Sequence, residues 1–238
     1  MRRQGRVLGA AQQLDQANLA LPVRMEEEPP RGRRHMGRAR RIVTFTWVTA
    51  DGYFAGADGN LDWVVPDEEQ AKAAAQGIPN FDTVLFGRRT YEIFEGFWRH
   101  IVVDDAGTVP DPHRPGQRSP EHGAMAIALN QMTKLVFSRT MKDVAWRNSR
   151  LLRELDPRAI EAMKRQPGKN MIIFGSGSIV SQLTQQGLID EYQFAVCPIF
   201  LGSGQPLLSG LSKRLRLDLV EDRALPSGDV MLRYGRPT

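Results

Sequence analysis

The sequence predicts an α/β domain with a mixed, mostly parallel central sheet. Three observations predict it. Residues 171–174 form an apolar strand that breaks at Gly175-Ser176-Gly177-Ser178 and resumes with Ile179, Val180 and Leu183, the spacing of a helix with one buried face. Residues 82–87 repeat the plan: an apolar strand ends in Gly87, and Arg88-Arg89-Thr90-Tyr91-Glu92 opens a helix. Near the C-terminus, residues 215–222 and 229–234 alternate apolar and polar, as an antiparallel pair at a sheet edge does.

The remaining elements follow in order. Residues 1–38 mix arginine, glutamine, alanine and proline without sustained periodicity and are expected to be a mobile extension ahead of a domain spanning 39–238. Translation could equally begin at Met36. Residues 40–49 read as a strand feeding a glycine-rich loop through Asp51-Gly52, Gly56 and Gly59. Pro66 followed by Asp67, Glu68 and Glu69 starts a helix, with negative charge at the positive end of its dipole. That helix should run to Gln76 and stop at Gly77. Residues 88–97 give the next helix, 100–120 a loop rich in Pro, Gly and Asp, 121–132 a helix, and 134–138 a short strand. A strand is expected over 144–148 and a helix over 157–166 with Ile160 and Met163 inward. Residues 189–201 read as a strand broken at Pro198, followed by the turn Gly202-Ser203-Gly204.

Composition bounds the function. At 238 residues, 41% apolar and 25% charged, the chain is an ordinary globular protein. No apolar run approaches the ~20 residues that span a bilayer, and the N-terminus lacks the apolar core of a secretory signal, so a cytoplasmic protein is expected. The single cysteine, Cys197, excludes an internal disulfide framework and lies in an apolar run, as a buried inert thiol does. The four histidines show no metal-ligand spacing. The net charge of +5 is unevenly spread: ten Arg against four acids in residues 1–41 give +6, and 22 Lys and Arg against 23 acids in the rest give −1. A near-neutral domain is a poor polyanion binder, so no nucleic acid and no membrane is expected as a partner.

The two strand–glycine–helix junctions carry the chemistry. A helix entered this way leaves its first N–H groups unpaired, and glycine lets an anion approach them closely. Thr90 and the two arginines beside it strengthen the second junction. Two such turns in one domain suggest the two ends of a dinucleotide, although each alone also describes an ordinary strand-to-helix turn.

The runs Asp51-Gly52-Tyr53-Phe54-Ala55-Gly56 with Trp63, Leu85-Phe86-Gly87-Arg88-Arg89-Thr90-Tyr91-Glu92, Val136-Phe137-Ser138-Arg139-Thr140, Gly175-Ser176-Gly177, Gly187-Leu188-Ile189-Asp190-Glu191 and Leu201-Gly202-Ser203-Gly204 occur in this order. Over roughly residues 40–236 they resemble the dihydrofolate-reductase-like superfamily, and within it the reductase domain of bacterial riboflavin biosynthesis, the RibD C-terminal type, as a stand-alone member. The resemblance implies a three-layer dihydrofolate-reductase-like fold and an NADPH-dependent oxidoreductase. By motif, Gly87, Arg88, Arg89 and Thr90 would hold the pyrophosphate, Ser138 and Arg139 would face the ribose 2′-phosphate, and Gly175, Ser176, Gly177 and Ser178 would cover the phosphates and nicotinamide side. A doubly charged phosphate calls for a hydroxyl and a guanidinium, as Ser138 and Arg139 supply.

On the substrate side, Trp63 followed by Asp67 and Glu68 resembles the tryptophan-then-acid segment that binds the pterin ring in dihydrofolate reductases, in a shifted register. Both acids also suit a helix cap. Asp51 ends the first strand, where ligands of open α/β sheets bind, and could equally be a turn former. Trp63 could stack on a planar heterocycle or be core. The implied reaction is hydride transfer from NADPH to a C=N or C=O carbon, with a proton from water or from a carboxylic acid whose pKa burial has raised. The substrate would be a small heterocyclic or carbonyl compound, with the ribosylaminouracil of riboflavin synthesis and dihydrofolate as narrower readings. The alternative is a non-catalytic NADP(H)- or flavin-binding module. Strand residues 191–196 and the antiparallel end of the sheet could form a homodimer face.

Overall fold

A computed structural model describes residues 39–237. The expectations for residues 1–38, Met36 included, lie outside the described residues. The elements are β1 (Ile42–Thr49), β2 (Tyr53–Ala55), α1 (Glu68–Gly77) with a 3-10 turn at Ile78–Asn80, β3 (Phe81–Gly87), α2 (Arg88–Trp98), β4 (Val109–Pro110), β5 (Arg118–Ser119) and α3 (Pro120–Gln131). There follow β6 (Thr133–Phe137), β7 (Ser149–Leu152), α4 (Pro157–Lys164), β8 (Asn170–Phe174), α5 (Gly177–Gln185), β9 (Glu191–Cys197), β10 (Gln205–Pro206), β11 (Asp218–Ala224) and β12 (Val230–Gly235). No described helix is long and apolar enough to cross a membrane.

Eight strands form the main sheet in the order β11-β12-β9-β1-β8-β3-β6-β7. From β9 to β7 every pairing is parallel, while β12 runs antiparallel to β9 and to β11. This is the predicted mixed, mostly parallel sheet with antiparallel C-terminal strands. Residues alternate between two cores. Leu85, Leu135, Met171 and Ile173 face α4 and α5 through Ile160, Ile179, Val180 and Leu183. Val84, Phe86, Val136 and Ile172 face α2 and α3 through Tyr91 and Leu129. Strands covered on both faces are apolar along most of their length, which is why residues 84–86 of β3, 135–137 of β6 and 171–174 of β8 read as unbroken apolar runs in the sequence.

Lys134 is the exception in β6. Its side chain is fully buried, and Nζ donates to the carbonyls of Leu129 (2.5 Å) and Met132 (2.7 Å) while lying 4.5 Å from the Trp146 ring centroid. The ammonium closes the end of α3, where helix carbonyls lack partners. Burial, with a smaller contribution from Arg147, lowers its pKa to about 8.

The strand expected over 144–148 is not formed. Trp146 is instead buried beside Tyr91 and donates its ring N–H to Asn130 Oδ1 (2.8 Å). Asn148 then takes a left-handed turn at φ 61°, and the strand begins one residue later as β7. An apolar run anchored by one large ring served the core as a loop. At the opposite edge every residue of β11 is exposed, and Glu221 pairs with Arg233 of β12 at 2.8 Å; charge on an edge strand discourages open-ended strand pairing. β9, expected to contribute to a dimer face, is an interior strand flanked by β1 and β12.

Candidate functional site at the carboxyl ends of the parallel strands

Adjacent strands β3 and β8 send their helices to opposite faces of the sheet: α2 packs in the Phe86 core and α5 in the Ile173 core. Connections that diverge this way open a crevice at the carboxyl ends of the strands, the usual ligand site of open α/β sheets. The β3–β8 register pairs Leu85 with Ile173, so its continuation sets Gly87 beside Gly175. Gly87 also pairs with Phe137, which places Ser138 one residue further on. The three cofactor segments expected from sequence therefore stand on three consecutive strand ends, spanning about 10 Å at the usual strand spacing.

The two glycine junctions are joined by one side chain. Ser176 is the N-cap of α5 in the left-handed region (φ 55°, ψ 58°), and its hydroxyl does not cap its own helix. Oγ accepts the Gly87 N–H at 3.0 Å and donates to Thr90 Oγ1 at 2.8 Å, across to α2. Among the described residues the amides of Ser176, Gly177 and Ser178 have no protein acceptor. Gly175 has φ +52°, and a Cβ there would meet nothing within 4 Å, so open space faces this turn. At Gly177 a Cβ would stand 2.7 Å from the Phe54 ring, so β2 lies against the first turn of α5. Arg88, Arg89 and Arg139 are exposed and make no ion pair among the described residues. Unpaired amides, two helix N-termini and three free guanidiniums fit an anionic, phosphate-bearing cofactor.

Ser138 is buried, and its Oγ accepts the amides of Thr140 (3.3 Å) and Met141 (3.0 Å), which shapes the turn that presents Arg139. Its hydroxyl hydrogen is left for another acceptor. Arg153 closes the same turn by donating to the carbonyls of Ser138 (3.2 Å) and Met141 (2.5 Å).

The substrate-side residues are engaged within the protein. Asp51 accepts from Thr49 Oγ1 (2.6 Å) and from the amides of Leu201 (3.1 Å) and Gly202 (2.8 Å), and these bonds, the Thr49 hydroxyl first, hold its carboxyl below the usual range. It latches the end of β1 to the turn after β9. Asp67 caps α1 by accepting the Gln70 amide (2.9 Å) and also accepts the Ser227 amide (3.0 Å). Burial pushes its pKa up, but these amides outweigh it and the carboxyl stays below the ordinary value. Glu68 pairs with Arg114. Trp63 is buried, and its indole N–H has no partner among the described residues. Asp67 and Glu68 face a groove of about 1520 Å³ on the α2 side of the sheet, whose walls include Phe45, Trp47, Phe94 and Phe174; Asp51 and Trp63 do not line it. Aromatic walls and this volume suit a planar organic substrate.

Comparison with known proteins settles the family. Residues 40–231 match the model of the RibD C-terminal domain. The chain belongs to the RibD C-terminal domain family. It is 26% identical over 201 residues to YyaP, an uncharacterized protein of Bacillus subtilis (strain 168), covering 83% of this chain and 95% of that one. A solved protein of Shewanella sp. PV-4 that carries a riboflavin-biosynthesis name superposes with a TM-score of 0.60 at 21% identity, over 83% of this chain and 99% of its own. The Thermotoga maritima diaminohydroxyphosphoribosylaminopyrimidine deaminase/5-amino-6-(5-phosphoribosylamino)uracil reductase gives 0.55 at 11% identity, over 84% of this chain and 57% of its own. These likenesses confirm the three-layer fold.

Within this RibD C-terminal domain two features escaped sequence reasoning. His122 and His113 meet in the groove wall, with ring centroids 5.8 Å apart and His122 stacked on Trp98 at 6.1 Å. Ser119 Oγ lies 2.9 Å from His122 Nδ1, and burial lowers the pKa of the ring. Asp229, 1% exposed, immediately precedes β12 beside Cys197; burial raises its pKa, and the Cys197 thiol is pushed up to about 12 by burial and by Asp229. No periodicity marks either cluster, because each joins residues from separate elements: His113 from a loop and His122 from the first turn of α3, Cys197 from the end of β9 and Asp229 from the turn before β12.

Proposed function

We propose that this protein is an NADPH-dependent reductase that transfers hydride to a small heterocyclic or carbonyl substrate, resembling the reductase step of riboflavin biosynthesis. The observation that carries the reading is the pair of glycine junctions at β3 and β8, adjacent, joined by Ser176 and bordered by three exposed arginines. When bound, NADPH would supply the hydride. Gly87 to Thr90 and Gly175 to Ser178 would hold the pyrophosphate at the two helix N-termini, and Ser138 with Arg139 would receive the 2′-phosphate. The groove walls would hold a planar substrate against the β1–β8 end of the sheet and exclude water from it. Burial raises the pKa of Asp229, whereas hydrogen bonds hold Asp51 and Asp67 below the usual carboxylate value, so of these three Asp229 gives up a proton least readily. The reading includes a homodimer through the antiparallel end of the sheet and a cytoplasmic setting.

The engagement of Asp51, Asp67 and Glu68 favours one second reading, a module that binds NADP(H) or a flavin without turnover. Calorimetric titration with NADPH, NADH and FMN, followed by NADPH oxidation against a panel of carbonyl and heterocyclic compounds, separates the two. The reductase reading expects NADPH to bind well ahead of NADH and FMN, and at least one compound to be reduced. A hydrogen-bonded charge contact contributes about 1.5–3 kcal/mol, so Arg139→Ala should weaken NADPH by at least about tenfold and leave NADH unchanged. Equal loss for both cofactors would contradict the 2′-phosphate assignment.

A further inference from the structure

We infer that Ser176 is a positioning residue that orients the Thr90 hydroxyl toward the cofactor's pyrophosphate and couples the two phosphate-holding turns into one unit. The inference rests on the proposed nucleotide site.

A serine hydroxyl has one hydrogen. The Gly87 N–H can only donate, so Ser176 Oγ accepts from it, at 3.0 Å. Ser176 spends its own hydrogen on Thr90 Oγ1, at 2.8 Å. Thr90 Oγ1 is thereby filled as an acceptor on that side, and its hydrogen has no acceptor among the described residues. The chain of donors therefore runs one way, from the β3 amide through Ser176 to Thr90, and ends in a free O–H in the first turn of α2. A donor already accepting a hydrogen bond is polarised and donates more strongly. The backbone at Ser176 agrees with a role beyond capping: it stays in the left-handed region, where a non-glycine residue is strained, and it gives its own helix no side-chain cap. The residue is 6% exposed, and its hydroxyl bonds across to the neighbouring strand and helix. Glycine would satisfy the backbone there better, so the hydroxyl is what the strained position gains.

The test is a double-mutant cycle on the full chain with Ser176→Gly, Thr90→Val and both together. Ser176→Gly suits the left-handed backbone and deletes the hydroxymethyl group; Thr90→Val keeps the shape and deletes the donor. Calorimetry would follow NADPH, NADH and inorganic pyrophosphate, with thermal melts alongside. Thr90→Val should weaken NADPH and NADH by the same factor, about tenfold or more for a lost charge-assisted bond, because the pyrophosphate is common to both. Ser176→Gly should weaken both by a smaller factor, and the double variant should bind no worse than Thr90→Val alone. Losses that multiply, or an Ser176→Gly variant that binds as the wild type does, would overturn the inference while leaving the nucleotide site standing. A wild type that binds pyrophosphate with this pattern of losses and neither dinucleotide would contradict the proposed function and retain the coupling. A wild type that binds none of the three overturns both.

Discussion

Replacing Gly175 by alanine separates the stability of the β8–α5 turn from its capacity to hold a phosphate. Gly175 has φ +52°, where an L-residue costs about 1–2 kcal/mol. No clash adds to this, since a Cβ at Gly175 meets nothing within 4 Å. For a domain of this size 1 kcal/mol moves Tm by about 2–4 °C, so Gly175→Ala should lower Tm by about 2–8 °C. Binding should suffer more. A phosphate oxygen accepts from an amide at about 2.9 Å, whereas a methyl group holds a neighbour off at about 3.5–4 Å. A methyl group in the open space before α5 would push the phosphate outward and cost one charge-assisted bond or more, which is about tenfold to a hundredfold in Kd. Gly175→Val, β-branched in a left-handed position, should bind no cofactor that calorimetry can detect. Melting curves and NADPH titrations of the same protein preparations give both numbers. A Tm loss of the expected size with an unchanged Kd for NADPH would show that the space before Gly175 is not where the phosphate lies.

Other outcomes follow from the same geometry. Burial lowers the Lys134 pKa to about 8 in the folded protein, from an ordinary lysine value of 10.5. Between those values the unfolded chain holds a proton that the folded one has released, so this residue makes stability rise with pH across the window, by up to about 3 kcal/mol. Denaturant titrations at pH 7.5 and 10 should show that rise in the wild type relative to Lys134→Met, and parallel curves would refute it. Asp67→Ala should lose about 1–2 kcal/mol with the α1 cap, while Asp67→Asn should keep the cap on the Gln70 amide through its one carbonyl oxygen and lose the Ser227 contact, since an amide NH2 cannot accept an N–H. Because the Asp67 carboxyl titrates below its usual value, its charge adds stability that is present above pH 3.8 and fades as the pH falls further; the excess of wild type over Asp67→Asn at pH 7 should shrink as the pH is lowered, and a difference that does not change with pH would refute the charge contribution. Gly123→Ala would place a Cβ 2.0 Å from the Gly107 carbonyl oxygen, so it should cost at least about 2 kcal/mol in a melt and leave the Kd for NADPH unaltered in the folded fraction.

The sequence reveals those parts of the structure whose physics is local. β3, β6 and β8 are legible because strands buried on both faces are apolar along most of their length, and Gly87 and Gly175 mark where β3 and β8 give way to helices. The C-terminal hairpin is legible because one of its faces is less covered and its residues alternate. What stays hidden depends on distant partners. Asp51 reads as a ligand-facing acid at a strand end, yet the amides of Leu201 and Gly202, some 150 residues away, consume it. Ser176 reads as part of a phosphate loop, and only the adjacency of β3 and β8 shows that its hydroxyl serves Gly87 and Thr90. The run 144–148 has the composition of a strand, but one ring, Trp146, fixes it as a loop. His113 and His122 face each other across a loop whose sequence contains no spacing that would announce them.

The most direct test is to follow the backbone amides by NMR while NADPH is added. The account predicts the largest shifts at Gly87, Thr90, Gly175, Ser176, Gly177 and Ser178, with Ser138 and Arg139 responding to NADPH and much less to NADH. Shifts confined to other surfaces, or no shift with either dinucleotide, would contradict a nicotinamide dinucleotide at the β3–β8 crevice.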